Sequence, residues 1–290
     1  MDSRSGDTFR QYLELSKIKI MLPVSLTGFT GYFIFNPHLT RELLFVTAGI
    51  LLLAVSASIL NQLQEVATDR LMERTHERPL PTGRVTRSRA LSLFLAALIA
   101  GSLLILATGS VTALIISFFT IVWYNGVYTY LKSVTAYAVI PGALTGALPP
   151  LIGWTAAGGP FPDKTILIVQ LLFFIGQIPH FWLFILKYGE EYSSAGFPSL
   201  TSIMSRKTIS ILIFMWIIAS VIVAGGLWYF GAIQNRLIAA GLLLASLVLV
   251  ISFIQLPAGK STGKTITGYS IMLDSYFLVI IALLISDRII

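Results

Sequence analysis

Residues 43 to 84 read LLFVTAGILLLAVSASILNQLQEVATDRLMERTHERPLPTGR. From Leu43 to Leu60 there is no charged side chain, and then residues 61 to 84 hold four of the thirteen acidic residues and four of the twenty Lys and Arg residues. An apolar run at about 43 to 62 is long enough to cross a hydrocarbon core, which takes roughly 17 to 25 residues as a helix. A polar cluster is therefore held against the end of a span. Working outward, comparable runs lie at about 20 to 36, 90 to 108, 111 to 130, 136 to 156, 165 to 186, 208 to 230, 237 to 255 and 268 to 286. With the first, they predict nine helices.

Composition agrees. The 290 residues are 56% hydrophobic and 11% charged, with a mean hydropathy of +0.83, which is outside the range of a soluble globular domain. In lipid the backbone must bond to itself, and these runs are much longer than the roughly 10-residue alternating strands of an outer-membrane barrel, so the expected class is all-α and polytopic. No linker divides the chain. The expected organisation is a cytoplasmic N-terminal segment, 1 to 19, and one transmembrane domain, 20 to 290. In the former, Phe9, Tyr12, Leu13 and Leu15 point to a short interfacial helix, and both charge signs without a cleavage site argue against a removable signal peptide. The lack of cysteine excludes disulfides and thiolate metal sites.

The net charge of +7 is explained by location. With nine spans, sixteen of the Lys and Arg residues fall on one side of the membrane, and only Arg41, Lys164, Arg236 and Arg288 fall on the other. This positive-inside bias predicts a cytoplasmic N-terminus, cytoplasmic charged loops and a C-terminus on the opposite side, as in a prokaryotic inner membrane. The basic charge then calls for the lipid bilayer as partner and for no nucleic acid.

In the opening stretch Asn61, Glu65, Asp69, Glu73 and Glu77 recur every four residues, a polar stripe if the helix continues. Carboxylate and amide oxygens are hard donors that suit Mg²⁺, which is commonly shared with substrate phosphates. Arg70, Arg74 and Arg78 form a second row, and guanidinium groups match phosphate geometry. The same charges also fit ion pairs on a solvated helix, but polar groups at the boundary of a span tend to mark function. Pro79, Pro81 and Gly83 end the segment.

A second constellation, QIPHFWLFILKYGEEYSSAGFP at 177 to 198, places Glu190 and Glu191 beyond another span on the same side. Two acidic clusters could hold a diphosphate between bound metals as a leaving group. His180 lies within the apolar part, where it reads either as a hydrogen-bonded core residue or as a contact for a planar, haem-like acceptor. In WYNGVYTYLKSVT, 123 to 135, the tyrosines suit a developing carbocation and Lys132 a phosphate, although an interfacial aromatic belt has the same composition. Asp274 is deep in a span and requires a partner such as a backbone amide, tyrosine or lysine.

Taken together, YLELSK at 12 to 17, Asn61 with Glu65 and Asp69, MERTHERPLPTG at 72 to 83, YTYLKSVT at 128 to 135, GALTGALPPLIGW at 142 to 154, PHFW at 179 to 182 and EYSSAGFP at 191 to 198 resemble the UbiA-type intramembrane prenyltransferases. The resemblance is strongest to the branch that farnesylates haem. It implies nine helices around a central cavity open to lipid. It also implies Mg²⁺ coordination by Asn61, Glu65 and Asp69 with a second acidic element at Glu191, diphosphate contacts from Arg74, Arg78 and Lys132, and an acceptor contact from His180. The implied substrates are farnesyl diphosphate and the vinyl group of haem b. A quinone precursor or another aromatic acceptor is the alternative within the family, and a carrier of an anionic lipid or metabolite the alternative outside it.

Overall fold

Among the described residues, seven of the nine long helices begin where the sequence supplies a side-chain oxygen for an otherwise unpaired backbone N–H. The computed structural model describes residues 10–258 and 262–290, and its helices long and apolar enough to span a membrane are α1 (Ile18–Phe35), α2 (Arg41–Gln64), α3 (Arg87–Ala107), α4 (Val111–Val134), α5 (Val139–Ala156), α6 (Lys164–Ser194), α7 (Arg206–Tyr229), α8 (Arg236–Ala258) and α9 (Gly263–Ser286). Thr40, Thr86, Ser110, Asp163, Ser205, Asn235 and Thr262 cap α2, α3, α4, α6, α7, α8 and α9. There is no strand among the described residues. Each predicted span coincides with one helix; the chief difference is α6, which continues to Ser194 instead of ending near 186. Phe9, Arg4 and Lys260 lie outside the described residues.

α5 is the most buried span and forms the centre of the bundle. Its approach to α1 is set by glycine: a methyl at Gly153 would fall 1.9 Å from the Gly28 carbonyl oxygen, and one at Gly31 would fall 1.9 Å from that of Pro150. Small residues of this kind allow two helices to pack in lipid, where no hydrophobic effect drives them together. The outer helices expose apolar side chains to lipid, including Leu91, Leu95, Ile99 and Leu103 on α3 and Leu243, Leu244, Leu247 and Ile251 on α8.

Three departures from regular helix shape one end of the bundle. The chain is helical from 10 to 16 and enters α1 through Lys17, whose φ of 47° is the sole left-handed non-glycine conformation among the described residues. Leu15 is fully buried with Val55, Ile59 and Val85, and the Leu15 carbonyl accepts from Gln62 Nε2 at 2.6 Å. α2 stops at Gln64; Glu65 (φ −100°, ψ 9°) breaks it, and one turn of helix, Val66–Asp69, leads into turns as far as Pro79 and beyond. The expected polar stripe is therefore not one helix. Within α4, Trp123–Tyr128 forms a π-helical turn, a local widening that recurs at functional sites. It is locked to α2: Asn125 Nδ2 donates to the Ala57 carbonyl at 3.0 Å and to Gln64 Oε1 at 3.2 Å, while Gln64 Nε2 donates to the Asn125 carbonyl at 3.0 Å.

At the opposite end, the Asp287 carboxylate, just after α9, accepts from the backbone N–H groups of Gln234 and Asn235 at 2.8 to 3.0 Å. Arg288 donates to the Gly231 and Ala232 carbonyls. These contacts join α9 to the α7–α8 turn.

Candidate active site

The break after α2 turns Asn61, Glu65 and Asp69 toward one cavity of about 170 Å³, shared with Lys17, Arg74, Arg78, Lys132 and three tyrosines, Tyr124, Tyr128 and Tyr192. Asn61, Glu65 and Asp69 are all buried. Asn61 Nδ2 donates to Thr129 Oγ1 at 3.1 Å. Arg78 Nη1 donates to Asp69 Oδ2 at 2.8 Å, and Thr75 Oγ1 donates to the Asp69 carbonyl at 2.8 Å. Lys132 Nζ stands 2.5 Å from Glu65 Oε1, a largely buried ion pair.

Four cations and two carboxylates line this cavity, so the carboxylates offset only half of the positive charge. Lys17 is the cation most affected by these surroundings. Burial, and then the nearby Arg78 guanidinium, push its ammonium down to about 8 against the opposing pull of Glu65 and Asp69. A polyanion would relieve this excess, and the buried oxygen donors of Asn61, Glu65 and Asp69 suit a hard cation that such an anion would share. The donor set therefore fits Mg²⁺ and diphosphate together.

Aromatic rings hold the cations in place. Lys132 Nζ lies 5.0 Å from the Phe197 ring centroid and 5.9 Å from that of Tyr192. The Arg74 guanidinium lies 4.9 Å from the centroid of Phe184. Such contacts fix a cation without neutralising it.

Several expected members fall elsewhere. Glu73 and Glu77 are exposed in the turns after Asp69. Arg70 Nε donates to the Pro81 carbonyl at 3.2 Å, which ties it to the loop, and only Arg74 and Arg78 of the predicted row reach the cavity. Because α6 continues through this region, Glu190 and Glu191 project from a helix; Glu190 is exposed, and Glu191 Oε2 accepts from the Arg74 backbone N–H at 3.3 Å. The two acidic clusters thus meet through the backbone of Arg74, and Glu191 is not among the cavity-lining residues. Of the polar lining residues, two have no role assigned from the sequence, Lys17 and Tyr192. Their signal was present in YLELSK and EYSSAGFP, but a lysine beside a span and a tyrosine near its end both read as interfacial anchors.

Two further cavities adjoin. An apolar one of about 250 Å³ lies among α1, α2, α4 and α5, with Tyr124 shared with the charged cavity. A lateral one of about 500 Å³ lies between α1, α6 and α9, with His180, Asp274, Lys19 and Gln177 on its walls. Ile20 lines all three. His180 Nδ1 is 2.9 Å from Asp274 Oδ1, so the partner that Asp274 requires is a histidine and none of the groups expected.

The model of the UbiA prenyltransferase family matches residues 22–273. The chain belongs to that family. Among its UbiA relatives, the protoheme IX farnesyltransferase of Geobacter sulfurreducens is 38% identical over 208 residues, 72% of this chain and 77% of the relative. That of Oleidesulfovibrio alaskensis is 35% identical over 63% of this chain and 65% of its own length. Two solved structures share the UbiA fold. A digeranylgeranylglyceryl phosphate synthase superposes with a TM-score of 0.76 at 19% identity, covering 98% of this chain and 99% of its own. A UbiA homologue from Archaeoglobus fulgidus bound to GPP and Mg²⁺ gives 0.71 at 15% identity, covering 97% and 100%. The nine-helix architecture expected from hydropathy is thus the UbiA fold, in a multi-pass integral membrane protein.

Proposed function

We propose that this protein transfers the farnesyl group of farnesyl diphosphate to a vinyl group of haem b. The observation that carries this reading is the excess of cations around buried oxygen donors where an apolar and a lateral cavity meet, in a chain 38% identical to a protein named protoheme IX farnesyltransferase. The charged end of the bundle faces the cytoplasm of a prokaryotic cell, as the distribution of Lys and Arg favours. Residues 20 to 290 act as one transmembrane catalytic domain.

Asn61, Glu65 and Asp69 would hold Mg²⁺, which neutralises charge on the diphosphate. Arg74, Arg78, Lys132 and Lys17 bind the diphosphate oxygens and stabilise the charge that develops when the allylic C–O bond breaks. Glu191 supports Arg74 by fixing its backbone. The farnesyl chain occupies the apolar cavity, and Tyr124 and Tyr128 present ring faces toward the carbon that becomes cationic. The vinyl π electrons form the new C–C bond, and water adds to the resulting porphyrin-side cation with loss of a proton, giving a hydroxyethylfarnesyl side chain and free diphosphate. The apolar walls limit stray water until that step. His180 contacts the haem in the lateral cavity.

Membranes containing the protein are incubated with haem b, farnesyl diphosphate and Mg²⁺, and the haem is analysed by mass spectrometry. Farnesylated, hydrated haem that disappears with chelator supports the proposal. Unmodified haem together with prenylation of a quinone precursor would overturn the acceptor assignment.

A further inference from the structure

We propose that Asp274 is a positioning residue for the acceptor: its carboxylate holds His180 as the tautomer protonated at Nδ1 and leaves Nε2 as a strongly donating ligand for the iron of a haem in the lateral cavity. This rests on the haem reading above. Asp274 lies eleven residues after Gly263 and twelve before Ser286, and His180 sixteen after Lys164 and fourteen before Ser194, so both are well inside their helices, about six residues from the charged-side end of the apolar runs at 268 to 286 and 165 to 186. Their side chains are nevertheless 54% and 47% exposed. A carboxylate at that depth is costly unless it serves a cavity or a partner, and here it has both.

The pair is held by backbone packing. Gly176 lies one turn before His180 on α6, and a methyl there would fall 1.9 Å from Phe277 Cζ, three residues after Asp274 on α9. The absence of that methyl lets α9 approach closely enough for the 2.9 Å contact. An anionic partner on one imidazole nitrogen increases the basicity of the other, and such partners orient metal-ligating histidines. Lys19 lines the same cavity near the membrane surface, where it can pair with a propionate of a haem ligated at His180.

The full-length protein in nanodiscs is titrated with haem b, without farnesyl diphosphate, and its spectrum and reduction potential are recorded. Wild type is expected to show a histidine-ligated haem, and His180→Ala to lose that signature. Asp274→Asn keeps an acceptor for Nδ1–H but removes the charge; its bound haem should have a higher potential and about tenfold weaker affinity. Asp274→Leu should bind more weakly still, and Asp274→Glu should recover most of the wild-type potential. Mg²⁺-dependent binding of farnesyl diphosphate, read in the same samples, reports on folding at the separate charged cavity. If His180→Ala loses ligation while every Asp274 variant keeps the wild-type potential and affinity, this inference is overturned and the haem reading stands. If His180→Ala keeps the ligation, the role of His180 in haem binding falls and this inference with it.

Discussion

Asp69 and Asp287 are both buried, at opposite ends of the bundle, and they are satisfied in different ways. Asp287 accepts from two backbone N–H groups, which cannot move without moving the chain. Asp69 is held by Arg78, a long side chain that can turn to another anion, in a cavity where cations outnumber carboxylates. A carboxylate satisfied by backbone is structural; one satisfied by a movable excess of cations is available for chemistry. The comparison is more informative than burial alone, which hardly separates the two.

The largest effect should come from Asp69→Asn. Removal of one charge from the group that organises the diphosphate is expected to lower farnesyl transfer by roughly a thousandfold, with little change in thermal unfolding; a comparable loss of melting temperature would make Asp69 structural and erase the contrast. Asp287→Ala should do the reverse. It strips two backbone donors of their acceptor and is expected to cost about 3 kcal/mol of stability, while kcat and KM of the protein that remains folded stay at wild-type values. Lys17→Met sharpens the contrast within the cavity: loss of one charge-assisted contact should raise KM for farnesyl diphosphate about tenfold, with kcat little changed, as steady-state kinetics in nanodiscs will show. The smallest effect is expected from Arg70→Ala, which removes one hydrogen bond to the loop, worth about 1 kcal/mol, and should change kcat/KM less than twofold.

The nine spans were legible because hydropathy and length alone decide whether a segment can cross a membrane. The contact between α2 and the charged cavity was legible in part. Asn61, Glu65 and Asp69 do converge, but an unbroken helix would have carried the stripe on to Glu73 and Glu77, and the break at Glu65 has no proline or glycine to announce it. Lys17 reaches the cavity through a left-handed backbone conformation that lysine rarely adopts, so its place in YLELSK marked the segment without assigning the side chain to the site. Asp274 and His180 are 94 residues apart, and their pairing depends on how α6 and α9 pack, which no local pattern encodes.

The π-helical turn at Trp123–Tyr128 also bears on how this lineage tolerates insertions and deletions. One extra residue is accommodated there, and Lys132 lies in the turn that follows. Deleting a single residue within 123 to 128 would restore an ordinary helix with the same hydropathy and enough length to cross the bilayer. Because the wide turn already absorbs the extra residue, Lys132 and the chain after it would keep their facing; what would be lost is the local geometry that lets Asn125 bond to Ala57 and Gln64 and so fixes α4 against α2 beside the cavity. To the machinery that inserts the chain, such a deletion would be silent; to selection on the enzyme, it would be among the most visible changes in the gene.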